Sequence, residues 1–331
     1  MTSPQPPQAP LAERLLAGDK GALARLITWA ENADARFADV MRALHPRVGR
    51  AWRVGVTGPP GAGKSTLVNE FARYERATKR SLGILAVDPS SPFTGGALLG
   101  DRIRMEERTT DPGIYIRSMA SRGSHGGLAR AAVDACDAMD AFGIEEILLE
   151  TVGVGQAEYD IVAATDTVLV VLCPGAGDGI QAMKAGILEV ADVLVVNKAD
   201  LAGADRLVLD LEEAVHIREH TKKRPDGAWS VPVVAVSAGK GEHLDLLAGH
   251  VARHRAWLEE GRLAAVRRSK RLAHVRQVVE ERLDEALWTR GGLAERAGAL
   301  LDGGRAPYDV VETLVAAILA GDVSSRGAPK P

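Results

Sequence analysis

Six short runs rich in β-branched residues recur through the middle of the chain: RVGVTG (53–58), LGILAVD (82–88), EEILLET (145–151), TVLVVLCPG (167–175), DVLVVNK (192–198) and VPVVAVS (231–237). Helical patterns such as STLVNEFARYERATK and LARAAVDACDAMDAF separate most of them. Several runs are apolar at nearly every position, the mark of strands buried on both faces of a parallel sheet. Strands alternating with amphipathic helices close into a doubly wound α/β domain. That domain is expected over 49–258, with no internal repeat.

Helical segments flank it. Leu11 to Glu31 carries apolar residues at helical spacing, interrupted at Gly18, and a further helix is predicted over 33–44, ending before Pro46. These form an N-terminal helical extension, 11–48. After Trp257 the pattern becomes one long charged amphipathic stretch over 262–290, followed by two shorter helices at about 293–302 and 307–320. This C-terminal arm, 259–322, cannot build a sizeable core alone, so it must dock on the α/β domain or on a second subunit. The Pro-rich residues 1–10 and the tail 323–331 read as disordered.

With 46% hydrophobic and 26% charged residues and a formal charge of −3, nothing asks for nucleic acid or an anionic membrane surface. No run of about 18 apolar residues is present, so no transmembrane helix is expected. Two distant cysteines, Cys136 and Cys173, exclude a disulfide framework and fit a reducing, cytoplasmic setting.

The first strand runs into Gly58-Pro59-Pro60-Gly61-Ala62-Gly63-Lys64-Ser65-Thr66, which opens a helix. Glycines let such a loop curl so that its N–H groups face phosphate oxygens, and the helix N-terminus adds a positive dipole end. Lys64 is expected to reach the β- and γ-phosphates and Ser65 to ligate Mg²⁺. Asn197-Lys198-Ala199-Asp200 ends the fifth strand. A carboxylate at Asp200 can accept from N1–H and the exocyclic amine of guanine, whereas adenine would leave it unpaired. Lys198 can cover the base, Asn197 can tie neighbouring loops together, and Ser237-Ala238-Gly239 can bring backbone N–H groups to the guanine O6. GTP and GDP are therefore the expected ligands.

Asp88, Asp101 and Glu150 lie at or after strand ends, where ligands gather in α/β sheets, and are candidate Mg²⁺ or water-network residues. Gly153, Gly155 and the glycines of 175–179 are hinges for loops that respond to a γ-phosphate. Asp178 and Lys184, on or after the last of these loops, are candidates to reach a nucleotide across a subunit interface. Glu150-x-x-Gly stands where Asp-x-x-Gly is usual, and Val154 follows Gly153 instead of glutamine. With no water-positioning glutamine there, and the role of nearby Gln156 open, slow intrinsic hydrolysis raised by a partner is expected.

These segments, together with AVDPSSPFTGGALLGDRIRM, IRSMASRGSHGGLA, ETVGVGQAE and PGAGDGIQAMKAGILEVADVLVVNKADL, resemble the MeaB/ArgK family of P-loop GTPases. The resemblance covers about 10–320. It implies a homodimer held through the C-terminal helices. It also implies GTP-gated delivery of adenosylcobalamin to a cobalamin-dependent acyl-CoA mutase of the methylmalonyl-CoA type, and protection of that mutase. It places switch segments at 101–125, 150–160 and 174–185 and gives Lys184 a catalytic or switch role. The alternatives are a metallochaperone GTPase, for which ETVGVGQ supplies no Cys or His ligand, a transport-linked kinase, against which Asp200 argues, and a binding module that never hydrolyses. The pairs His216/His220 and His250/His254 read as solvated helix faces, and the basic run Arg267–Arg271 as an interaction face.

Overall fold

The computed structural model describes residues 10–78, 81–89, 111–121, 127–151, 157–175, 187–221, 225 and 227–321. Seven parallel strands form one sheet: β1 (Trp52–Thr57), β2 (Leu82–Pro89), β3 (Ile114–Ser121), β4 (Glu146–Thr151), β5 (Thr167–Leu172), β6 (Val193–Val196) and β7 (Val233–Ala235), in the order β3-β2-β4-β1-β5-β6-β7. The doubly wound α/β architecture follows from how these strands divide their side chains. Val168, Val170 and Leu172 of β5 enter one apolar cluster while Leu169 and Val171 enter the other. β4, β5 and β6 thus feed two cores, one on each face, and read as nearly continuous apolar runs.

One core holds α4 (Lys64–Arg76) and, later in the chain, the helix Leu244–Glu259, through Leu67, Phe71, Leu247 and Val251. The other holds the N-terminal helices α1 (Leu11–Leu16), α2 (Lys20–Glu31) and α3 (Ala35–Leu44), with α5 (Gly127–Phe142), α6 (Ala157–Ala164) and α7 (Ala204–Thr221). Leu15, Leu23, Leu26 and Ile27 are fully buried there, so α1 and α2 form part of the main core. Asp19 starts α2 by accepting from the N–H groups of Gly21 (2.8 Å) and Ala22 (3.2 Å).

β3 is the strand that no apolar run announced. Among the described residues it lies at the sheet edge and pairs only with β2, and its Ile116, Arg117 and Ser118 are half-buried. An edge strand buries less and so carries a mixed polar pattern.

Leu244–Glu259 is α8, and α9 follows at Leu263–Asp284. The chain divides into two compact units at Arg271/Leu272. The first turns of α9 are fastened within the first unit: Arg267 grips Asp166 with two bonds, at 2.8 and 2.7 Å, and donates to the Ala51 carbonyl. Lys270 donates to the Thr165 carbonyl, and Arg271 pairs with Asp137. The basic run is therefore an interaction face turned inward, onto this domain. In the second unit, α10 (Leu293–Asp302) and α11 (Pro307–Leu319) bury Leu293, Val310 and Leu314 together. Leu272, Val275, Val279 and Leu283 form a stripe along α9 that is about half exposed or more.

The pair His250/His254 does not form a solvated face. His254 is 2% exposed, because α8 turns this residue toward β5 and the Trp229 and Trp257 rings. Among the described residues no helix is long and apolar enough to cross a membrane.

Candidate functional site

The chain leaves β1 into α4 on one face of the sheet and leaves β4 into α6 on the other. Since β1 and β4 are neighbours, a crevice opens between their carboxyl ends, where open α/β sheets bind ligands. The loop 58–63 lies there. Gly58 has φ +138°, and a Cβ on it would stand 2.1 Å from the Val171 carbonyl oxygen. Gly63, at φ +86°, precedes α4, and a Cβ there would meet Asn197 Nδ2 at 2.5 Å. Both positions demand glycine for backbone conformation and for close packing on β5 and the Asn197 loop.

Lys64 is 7% exposed, and its ammonium donates to the carbonyls of Gly58 (2.8 Å) and Pro59 (3.0 Å). The charge is held inside the ring of the loop, beside the backbone that a phosphate would meet. Ser65 donates its hydroxyl to Glu150 Oε1 at 2.6 Å. Glu150 is 2% exposed near the end of β4, paired in register with Val56 of β1. A hydroxyl and a carboxylate held together at the strand ends are hard oxygen donors, a set that fits Mg²⁺. Next to them Thr151 donates to Thr57 at 3.1 Å across the same two strands.

The base loops meet the phosphate loop through Asn197. Its Nδ2 donates to the carbonyls of Ala62 (2.9 Å) and Gly63 (3.3 Å), and its Oδ1 accepts from the Ala238 N–H (3.1 Å). One buried amide thus joins three loops. Lys198 sits in the left-handed region at φ +58° and donates to the Gly61 carbonyl at 2.7 Å. Asp200 accepts from the Ser237 hydroxyl at 2.8 Å and pairs with Lys240 at 3.3 Å. The Ser237 hydrogen bond, aided by Lys240, holds its carboxyl below the usual range, so it is an acceptor at neutral pH. Gly63, Thr66, Lys198, Asp200 and Gly239 line a cleft of about 400 Å³, a volume suited to a small-molecule ligand.

Lys240 escaped the sequence reading. Its only signal was its place on the turn Ala238–Lys240, directly after the serine that binds Asp200. Asp88 is placed at the end of β2, in register with Ala120. Asp101, Gln156, Asp178 and Lys184 lie outside the described residues.

Residues 23–292 match the model of the family described as methylmalonyl-CoA mutase-associated GTPase MeaB. A Pyrococcus abyssi protein named as a GTPase is 44% identical over 318 residues, 95% of this chain and 98% of its own length. The mouse protein named methylmalonic aciduria type A homolog, mitochondrial, is 32% identical over 300 residues, 85% of this chain and 71% of its own length. A solved structure described as a LAO/AO transport system kinase superposes with a TM-score of 0.69 at 24% identity, over 93% of this chain and 96% of that one, a likeness that bears on the fold alone. A P-loop sheet in a sequence that matches this family from its second helix to its C-terminal arm makes the chain a guanine-nucleotide-binding GTPase of the MeaB family.

Proposed function

We propose that this GTPase is a chaperone of an adenosylcobalamin-dependent acyl-CoA mutase of the methylmalonyl-CoA type, using GTP to gate cofactor loading and to protect the mutase. The observation that carries the reading is the family match over residues 23–292, which spans both nucleotide loops and the start of the C-terminal arm. The mouse relative's name lends it support.

In this reading the loop 58–66 cradles the phosphates through backbone N–H groups. Lys64 moves its ammonium from the Gly58 and Pro59 carbonyls to the β- and γ-phosphate oxygens. Hydrolysis breaks the bond between the γ-phosphorus and the bridging oxygen as water adds, and charge builds on the oxygens that Lys64 faces. Ser65 and Glu150, with Asp88 and Asp101, are the residues that would hold Mg²⁺, which neutralises phosphate charge when bound. Asp200 reads the guanine edge, Asn197 locks the loops, and the Ser237–Gly239 backbone faces O6. Lys184 acts as a switch or catalytic residue. The chain works as a homodimer, and the exposed stripe Leu272–Leu283 on α9 supports pairing through the C-terminal helices. Hydrolysis is slow in the isolated protein and is raised by the mutase.

The test is affinity capture from lysate of the native host with GDP or a non-hydrolysable GTP analogue, read by mass spectrometry. A cobalamin-dependent mutase retained differently by the two nucleotides is the expected result. No mutase with either nucleotide would remove the partner assignment and leave the GTPase standing.

A further inference from the structure

The turn Ala238–Lys240 belongs to a small closed loop. Ser237 and Glu242 bridge across it, each N–H donating to the other's carbonyl, at 3.2 and 3.1 Å. Inside the bridge the Lys240 N–H donates to the Ser237 carbonyl at 3.0 Å, and Gly241 turns the chain back at φ +71°. Backbone bonds this dense hold the main chain of Ser237 and Lys240 at a fixed spacing. The same loop gives its Ala238 N–H to Asn197, which in turn bonds the Ala62 carbonyl of the phosphate loop.

Ser237 and Lys240 each take one oxygen of Asp200. The Ser237 hydroxyl donates to Oδ1 at 2.8 Å, and the Lys240 ammonium lies 3.3 Å from Oδ2. Lys198, the neighbouring cation, is directed elsewhere, to the Gly61 carbonyl. Asp200 and Lys240 both line the cleft of about 400 Å³.

The torsion that turns a carboxylate about its last bond is soft. An ionised carboxylate offers about four lone-pair sites. With one site taken at each Asp200 oxygen, one stays open at each, and a single tied loop sets the plane in which they lie. Guanine presents two donors side by side, N1–H and the amine on C2. Hypoxanthine keeps N1–H and lacks the amine. A carboxylate that turns freely can still meet N1–H with either oxygen, but it meets both donors only when its plane is held.

We propose that Lys240 is a positioning residue for base selection: it holds the second Asp200 oxygen where the exocyclic amine of guanine arrives, and so sets the preference for guanine over hypoxanthine. The inference rests on the reading that Asp200 faces the guanine edge. Ser237 alone would leave the carboxylate to pivot about Oδ1. The Lys240 side chain is 55% exposed, so water damps its attraction for Asp200, and its effect is mainly geometric.

Calorimetry on the full chain with GDP and with inosine diphosphate, whose base is hypoxanthine, tests it. The unaltered protein is expected to bind GDP about tenfold or more tighter than inosine diphosphate. Lys240→Met keeps the stem and removes the donor. It is expected to lower that ratio about fivefold, the loss falling on GDP while the Kd for inosine diphosphate changes by less than about twofold. Lys240→Arg restores a donor and is expected to recover most of the ratio. A purely structural role for Lys240 would weaken both ligands alike. Asp200→Ala is expected to bring the ratio to about one. If Asp200→Ala erases the preference while Lys240→Met keeps it, or weakens both ligands equally, the Lys240 assignment is overturned and the Asp200 reading stands. If the unaltered protein shows no preference, or Asp200→Ala retains it, both fall together.

Discussion

At the carboxyl ends of β1, β4 and β6, polar side chains reach across loops for one another and for backbone carbonyls: Lys64 for Gly58 and Pro59, Ser65 for Glu150, Asn197 for Ala62, Lys240 for Asp200. At the amino ends of β1 and β5, charges pair directly inside the protein. Arg53 donates to Asp137 at 2.8 Å and to Asp140 at 3.1 Å, Arg267 grips Asp166, and Asp140 also accepts from the N–H groups of Gly49 and Ala51. Burial works against the Arg53 charge, but the carboxylates, Asp137 foremost, outweigh it and hold the group firmly protonated. Burial likewise opposes ionisation of Asp137, and Arg53 and Arg271 overcome it. One end of the sheet keeps groups that a ligand can re-pair, while the other spends its charges on fixing the fold. Charge at a strand end is therefore no guide to function until its partners are known.

Removing Lys64 should separate the two ends most sharply. Lys64→Ala is expected to lower GTP turnover about a thousandfold or more, with the unfolding midpoint almost unchanged. Radiometric or phosphate-release assays beside thermal denaturation would show it; a large loss of stability would blur the division. Asp137→Ala reverses the pattern. It leaves Arg53 buried with part of its compensation gone, so a loss of about 3–5 kcal/mol in unfolding free energy is expected, with turnover per folded molecule retained.

A third variant uses pH. His254 is pushed down to about 4, chiefly by burial, while Asp192 is pushed up to about 6, also by burial. Above pH 6 the Asp192 carboxylate can only accept, so His254 Nε2 carries the proton toward it at 3.4 Å and Nδ1 accepts from the Thr167 hydroxyl at 2.9 Å. The signs oppose each other. His254, lowered in the folded state, gives stability that is present above pH 6.5 and lost as pH falls toward 4. Asp192, raised in the folded state, gains stability as pH falls from 6 toward 3.8. The intact protein should therefore show a shallow profile over this range. Asp192→Asn removes the counterweight, and its unfolding free energy is expected to fall by about 3 kcal/mol between pH 6.5 and 4. Denaturant titrations across that range would decide it; a variant as flat as the parent would contradict the assignment.

The same contrast explains what could be read in the sequence. The loops proposed to hold phosphate and base are contiguous strings, so 58–66 and 197–200 could be picked out as candidates, and the structure brings them together through Asn197. So were the strands packed on both faces, because burial on both sides leaves an unbroken apolar run. The edge strand Ile114–Ser121 was not, since its polar positions at Arg117 and Ser118 dilute the pattern. The buried network was illegible for another reason. Arg53, Asp137, Asp166 and Arg267 are scattered over more than two hundred positions, and each alone looks like a surface charge. His254 misled in the same way: its helix is polar in sequence, and only the packing of α8 on β5 turns this residue inward. Lys240 lies between these cases, close in sequence to Ser237 but outside the motif that names it.

Selection of guanine through Asp200 in the carboxyl-end cleft is open to a direct test. The most direct measurement compares hydrolysis of GTP, ATP and XTP by the unaltered protein and by Asp200→Asn. In Asp200→Asn a side-chain amide can donate to the extra carbonyl of xanthine. The unaltered protein is expected to prefer GTP over ATP and XTP by about a hundredfold or more, and Asp200→Asn to transfer the preference to XTP. Equal use of ATP and GTP by the unaltered protein, or a variant that still prefers GTP, would contradict it.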